Sequence, residues 1–261
     1  MSYENILLET VESSIQIITV NRPDVLNALN RQTLEELCDA VTQVDAMDDA
    51  RVLLLTGAGE KAFIAGADIS AMQGMNAVEA KDFAQLARTL SQRLEGLRVP
   101  SVAVVGGYCL GGGCELAMSC DWILAGEKAV FGQPEVNLGV IPGFGGTQRL
   151  TRLVGPARAK ELVISGRQVK ADEAVAIGLA NHVYPADELK EKALELARTI
   201  ASKGPVAVRL AKEAVQRGQD LDLENALALE RDLFALCFAT EDQREGMIAF
   251  LEKRPAKYTG R

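Results

Sequence analysis

The chain has 261 residues, 48% hydrophobic and 25% charged, with a formal net charge of −8 and one histidine. That length buries a full core as one large domain, or as a domain with an appendage. The acidic balance argues against nucleic acid as the main ligand, since neutralising phosphates needs a basic face, and a serine or cysteine triad would have only His182 to be built around.

The start of the chain, Met1-Ser2-Tyr3-Glu4-Asn5, lacks the basic-then-apolar pattern of a signal peptide. No apolar stretch is long enough to span a bilayer. Five cysteines, an odd number, read as reduced thiols. A cytoplasmic protein without a membrane partner is expected. Cys109, Cys114 and Cys120 lie close together, but their spacing fits no common zinc pattern and no histidine is near. They read as structural, with no metal site.

In chain order, Ile6, Leu8, Ile15, Ile17 and Thr19 fall on period-two faces. They predict two strands joined near Glu12-Ser13-Ser14. Asn21-Arg22-Pro23-Asp24 reads as a turn. Asn30 caps a helix with Leu34, Leu37, Val41 and Val44 on one face. Val52–Thr56 reads as a buried strand ending in Gly57-Ala58-Gly59. A long helix is expected over 77–96, then a buried strand at 102–105 running into Gly106-Gly107 and Gly111-Gly112-Gly113. Alternating strands and helices mean an α/β arrangement with parallel pairing. After about residue 185 the pattern is helical throughout: one helix carries Leu189, Ala193, Leu196, Ala197 and Ile200, others follow Pro205 and span 223–238, and a Thr240/Gln243 capping box opens the last. The expected division is 1–195 for the α/β core with the site and 196–261 for a helical oligomerisation region.

Two carboxylates stand out. Glu115 ends Gly111-Gly112-Gly113-Cys114-Glu115, at a predicted helix N-terminus. Glu135 ends Phe131-Gly132-Gln133-Pro134-Glu135, at the exit of a short strand. Glycines admit a ligand close to the backbone, and the first helical N–H groups lack internal partners. A phosphate loop would need Gly-Lys-Ser/Thr where this chain has Gly113-Cys114-Glu115, so an oxyanion hole suits the residues better. Paired carboxyls beside it point to acid/base chemistry on a carbonyl compound. Gly57-Ala58-Gly59-Glu60-Lys61-Ala62 matches a dinucleotide fingerprint formally, but Phe63-Ile64-Ala65-Gly66 does not read as a helix start. Trp122 and Phe131 read as core or pocket wall. Met72 and Met75 suit a pocket or the core equally, and His182 reads as structural.

Asn27-Ala28-Leu29-Asn30, Ala65-Gly66-Ala67-Asp68, the two glutamate runs and Pro142-Gly143-Phe144-Gly145-Gly146-Thr147 occur in that order. Together they resemble the crotonase family, the enoyl-CoA hydratase/isomerase superfamily, over essentially the whole chain. The resemblance implies a crotonase-type spiral of repeated β-β-α turns with a C-terminal all-helical trimerisation segment, assembled as a homotrimer or as a hexamer made of two trimers. It implies an acyl-CoA thioester substrate, coenzyme A being part of the substrate rather than a separate cofactor. By the resemblance, Ala67 and Gly112 supply the oxyanion-hole N–H groups, and Glu115 and Glu135 are catalytic. Ala28, Ala65, Asp68, Ile69, Ser70 and Gly143, with Phe250 and Lys253 from a neighbouring subunit, contact the substrate.

Hydrating a C2=C3 bond conjugated to a thioester needs a base for water, an acid for C2 and stabilisation of the enolate oxygen. Keeping both glutamates favours hydration over double-bond isomerisation, which needs one carboxylate. RNA binding, known among relatives of this fold, is disfavoured by the acidic charge.

Overall fold

The computed structural model describes residues 3–261. The chain opens with a hairpin, β1 (Ile6–Val11) and β2 (Ile15–Val20), antiparallel with Ile6 opposite Val20. Glu12 and Ser13 take positive φ in the turn. The structure modifies the expected single apolar face of β2. Ile18 and Val20 enter the main core, while Ile15 and Ile17 pack into a second cluster on the other side. The strand is covered on both faces, as strands inside a largely parallel sheet are. Helix α1 (Arg31–Ala46) follows, its first turn capped by Asn30, whose Oδ1 accepts from the Thr33 N–H at 2.8 Å. Leu34, Leu37, Val41 and Val44 are buried as one stripe.

Three turns of one pattern come next. Strand β3 (Val52–Gly57) leads to the short β4 (Ala62–Ile64), then to α2 (Ile69–Met72) and the long α3 (Ala77–Glu95). Strand β5 (Ser101–Val105) leads to β6 (Tyr108–Leu110) and α4 (Gly112–Ala117). Strand β7 (Trp122–Gly126) leads to β8 (Val130–Gly132) and, past a 3-10 turn at Glu135–Leu138, to α5 (Gly146–Val154). Helix α6 (Pro156–Ser165), β9 (Gln168–Lys170), α7 (Ala171–Ala176) and β10 (His182–Tyr184) complete the spiral. The first strand of each turn joins a six-stranded sheet, β1-β2-β3-β5-β7-β10, and the second joins a four-stranded sheet, β4-β6-β8-β9. From β2 to β10 the large sheet is parallel. Gly57-Ala58-Gly59 connects β3 to a strand, so the dinucleotide fingerprint lacks its helix.

Four helices follow: α8 (Leu189–Ala201), α9 (Pro205–Gly218), α10 (Leu223–Cys237) and α11 (Glu241–Glu252). A division between residues 195 and 196 falls inside α8, and that helix belongs with the core. Its Leu189, Ala193, Leu194 and Ala197 close the second apolar cluster over Ile15, Val52, Leu54, Val102 and Val104. Only half of the expected capping box forms on α11. Thr240 accepts from the Gln243 N–H at 3.1 Å, but the Gln243 side chain turns to Met247 Sδ. Lys212 on α9 is tied to Asp121 at 2.8 Å and also donates to the Leu94 and Val99 carbonyls.

Candidate active site

The first wall of the site is a crossing of two loops. Leu26 and Asn27 both adopt positive φ, uncommon for such residues and kept only where the surroundings insist. Buried Asn27 does so here: its Nδ2 donates to the Ala58 and Ala62 carbonyls at 3.0 and 2.9 Å, and its Oδ1 accepts from the Arg22 N–H. The loop so held meets the segment after β4. Ala65 N–H donates to Leu26 O, Leu29 N–H to Gly66 O, and Asp68 N–H to Leu29 O. In this parallel bridge Leu29 bonds the residues on either side of Ala67, so the Ala67 N–H points the other way, away from Leu29. Asp68 pairs with Arg22 at 3.2 Å and caps α2 through Ser70, whose hydroxyl donates to Oδ1 at 2.6 Å. These bonds hold the Asp68 carboxyl below its ordinary range, the Ser70 hydrogen bond contributing most.

The second wall is α4. Gly111 has φ 49 and ψ −125, a backbone conformation open to glycine rather than to residues with a side chain. A Cβ there would lie 3.1 Å from Glu135 Oε1 and 3.8 Å from the Gly66 Cα, so all three residues converge. At Gly112 a Cβ would press into the Phe144 ring at 2.9 Å and stand 3.6 Å from the Ala67 nitrogen. As the first residue of α4, Gly112 has an N–H with no helical acceptor. The Ala67 and Gly112 backbones, 45 positions apart in sequence, therefore come together, and neither N–H has an acceptor among the described residues.

Glu115 and Glu135 flank this point with different surroundings. Glu115 is 1% exposed, and its Oε1 accepts from the Phe144 and Gly146 N–H groups at 2.8 and 2.6 Å. Burial pushes its pKa up to about 7, the two backbone donors oppose the rise, and the neighbouring Glu135 charge adds to it. Both Glu135 oxygens are buried without a hydrogen-bond partner among the described residues, and desolvation raises its pKa as well. Hydrogen bonds received from N–H groups favour an ionised carboxylate, and their absence favours the neutral acid. Hydrogen bonding alone therefore favours the proton on Glu135 and the anion on Glu115, although burial lifts the Glu115 pKa strongly.

Glu115, Glu135, Ala67 and Gly112 thus meet in one place. Ala28 and Ala65 are half-buried in the crossing loops, and Ile69 and Ser70 are exposed on α2. Gly143 is exposed, one residue before the Phe144 donor. Phe250, 82% exposed, and Lys253 lie at the far end of α11 and are not drawn into a buried site within their own chain. Met72 and Met75 are partly buried against the main core, Phe131 is fully buried, and exposed His182 opens β10. Sequence reading missed the Phe144 and Gly146 donors. Their signal was the run Gly143-Phe144-Gly145-Gly146, read only as a family motif with Gly143 as a substrate contact: Gly146 has no room for a Cβ between Gln133 and Glu115.

The sequence profile of the family described as Enoyl-CoA hydratase/isomerase matches residues 10–261, and the chain belongs to that family. It is 50% identical over 258 residues to the crotonyl-CoA hydratase of Syntrophomonas wolfei, covering 99% of both chains. It is 50% identical over 254 residues to the short-chain-enoyl-CoA hydratase of Clostridium acetobutylicum, covering 97% of both. The crystal structure of enoyl-CoA hydratase from Bacillus anthracis superposes with a TM-score of 0.96 at 44% identity, covering 99% of this chain and 100% of that one. The crotonase fold is shared.

Proposed function

We propose that this chain catalyses the reversible addition of water across the C2=C3 bond of a short trans-2-enoyl-CoA, giving a 3-hydroxyacyl-CoA. One observation carries the reading: two buried carboxyls with opposite hydrogen-bond environments flank two unpartnered backbone N–H groups. Glu115, the better anion, takes a proton from water as the water oxygen bonds to C3. The C2=C3 electrons shift toward the thioester carbonyl, and the charge on its oxygen is held by the Ala67 and Gly112 N–H groups. Glu135, the better acid, gives its proton to C2 as that charge returns. The proton left on Glu115 then passes to Glu135, directly or by exchange with solvent, which restores the pair. Fixed donors aimed at developing charge in a dry site are worth a few kcal/mol each, and each acid/base group roughly 10²–10⁴ in rate.

Coenzyme A enters as part of the substrate, and the mechanism needs no other cofactor. The loop 65–70 is where its pantetheine arm would lie. Phe250 and Lys253 serve the site of a neighbouring copy in a trimer, or in a hexamer of two trimers, and a cytoplasmic role in fatty-acid β-oxidation fits this chemistry. The relatives named for crotonyl and short-chain substrates support the short acyl preference. The test is loss of the conjugated-enone ultraviolet absorbance across a series of enoyl-CoA chain lengths, with a 3-enoyl-CoA as comparison. Rapid loss on crotonyl-CoA supports hydration. Conversion of only the 3-enoyl isomer would make the chain an isomerase.

A further inference from the structure

We infer that Arg149, anchored by Glu95, is a positioning residue that holds the Phe144–Gly146 loop against Glu115. The inference rests on the hydration reading above. Arg149 lies in the first turn of α5, one turn past the loop. Its Nη1 donates to the Phe144 carbonyl at 3.0 Å, while its Nε and Nη2 reach Glu95 Oε1, at the end of α3, at 2.7 and 2.6 Å. The Phe144 residue thus has its carbonyl fastened to a cation and its N–H on Glu115 Oε1. Gly145, with φ 108, completes the bend that brings the Gly146 N–H onto the same oxygen. The Phe144 ring lies over Gly112 and packs edge-on against Phe83 with centroids 5.4 Å apart. One guanidinium therefore fixes the donors to the proposed base and the aromatic wall behind one oxyanion donor. The ion pair is largely shielded, with 19% and 28% of the two side chains exposed. A guanidinium suits the task because its rigid fork bonds two acceptors at once, which an ammonium does not.

The charged groups facing Glu115 are Glu135, which raises its pKa, and Arg149, which lowers it. Glu95 faces Arg149 across the pair. Removing the cation should raise the Glu115 pKa, whereas removing the Glu95 charge leaves Arg149 less neutralised and should lower it. The two halves of one ion pair thus make opposite predictions, which a purely structural role does not.

The experiment measures kcat, KM and the pH dependence of kcat/KM on crotonyl-CoA for the full chain and for Arg149→Met, Arg149→Lys and Glu95→Gln, with Glu115→Gln as reference. Arg149→Met should lower kcat roughly tenfold to a hundredfold with KM little changed, the size expected for small misplacement of a catalytic group. Its acid limb should move to higher pH and that of Glu95→Gln to lower pH, with Arg149→Lys intermediate in rate. Arg149→Met turning over within twofold of the parent overturns the inference, as do acid limbs that move the same way or not at all. If Arg149→Met fails to fold, the rate of Arg149→Lys and the acid limb of Glu95→Gln decide. Full activity of Glu115→Gln would instead sink the hydration reading itself, a separate outcome.

Discussion

Glu115, the proposed base, illustrates how a buried carboxyl works against its own fold. Its folded pKa, about 7, lies above the ordinary 4.5 of a glutamate. A raised pKa means that the stability is complete below about pH 4.5, where both folded and unfolded chains hold the proton, and is lost as pH rises through about 7. The shift corresponds to about 3 kcal/mol at alkaline pH. Glutamine keeps an oxygen for the Phe144 and Gly146 donors and carries no charge. Glu115→Gln should therefore melt higher than the parent at pH 8 and no higher at pH 4, by calorimetry at both pH values. The same variant should lose roughly 10²–10⁴ in kcat, as should Glu135→Gln, and the double variant should fall well short of the product of the two losses. Near-normal turnover of either single variant in the ultraviolet assay would remove that residue from the mechanism. In the parent, kcat/KM should fall toward acid as Glu115 gains a proton. A profile that stays flat from pH 8 down to pH 5 would contradict that role.

At the scale of an element, α4 is only six residues long and stays in place by contact rather than by its own helical stability. Gly113 is where it meets β4, and a Cβ there would collide with the Ile64 carbonyl oxygen and Cβ. Backbone cannot step aside as a flexible side chain can, so Gly113→Ala should push α4 off β4. The expected cost is about 1–3 kcal/mol of stability, the range for overpacking, with a larger loss of kcat because Gly112 and Glu115 ride on the same helix. Denaturant unfolding alongside kcat checks this. An alanine variant of normal stability and rate would mean that α4 is not clamped at this point. By contrast, Gly139 and Gly155 have no atom near a Cβ position, and only their positive φ, 76 and 81, resists substitution.

For the whole molecule, the C-terminal helices carry an apolar surface that one chain leaves open. Leu223, Leu227, Phe234, Leu236 and Phe238 are each more than 45% exposed on or next to α10, as are Phe250 and Leu251 on α11. Burying a large apolar side chain is worth about 1.5–3 kcal/mol, and contiguous exposure of this kind marks an interaction surface. Light scattering should accordingly report an assembly of three or more copies, and removing residues after about 220 should abolish assembly and activity together. A fully active monomer at micromolar concentration would refute that account. If Lys253 contacts coenzyme A in a neighbouring copy, as proposed, Lys253→Ala should leave the assembly intact and mainly raise KM.

How much of this was legible before folding follows from the range of each interaction. The hairpin, the Asn30 cap, the stripe on α1 and the helical tail are written in local periodicity and capping chemistry, which act within a few residues. The glycine runs and the two glutamates also stood out, and with the ordered motifs they were enough to identify the family. Long-range placement was not legible. Both faces of β2 are buried because a helix from residues 189–201 returns to cover one of them, which neither period nor propensity near residue 15 can encode, and for the same reason a boundary drawn at 195 cuts that helix. The capping box at Thr240 half-formed because Gln243 found Met247 instead. Above all, the sequence chose two carboxyls, but only tertiary structure made them different. Donors 29 and 31 positions further along the chain hold Glu115, while Glu135 meets none. Which carboxyl keeps the proton depends on those neighbours, because burial and hydrogen bonding set a pKa and both exist only once the chain has folded.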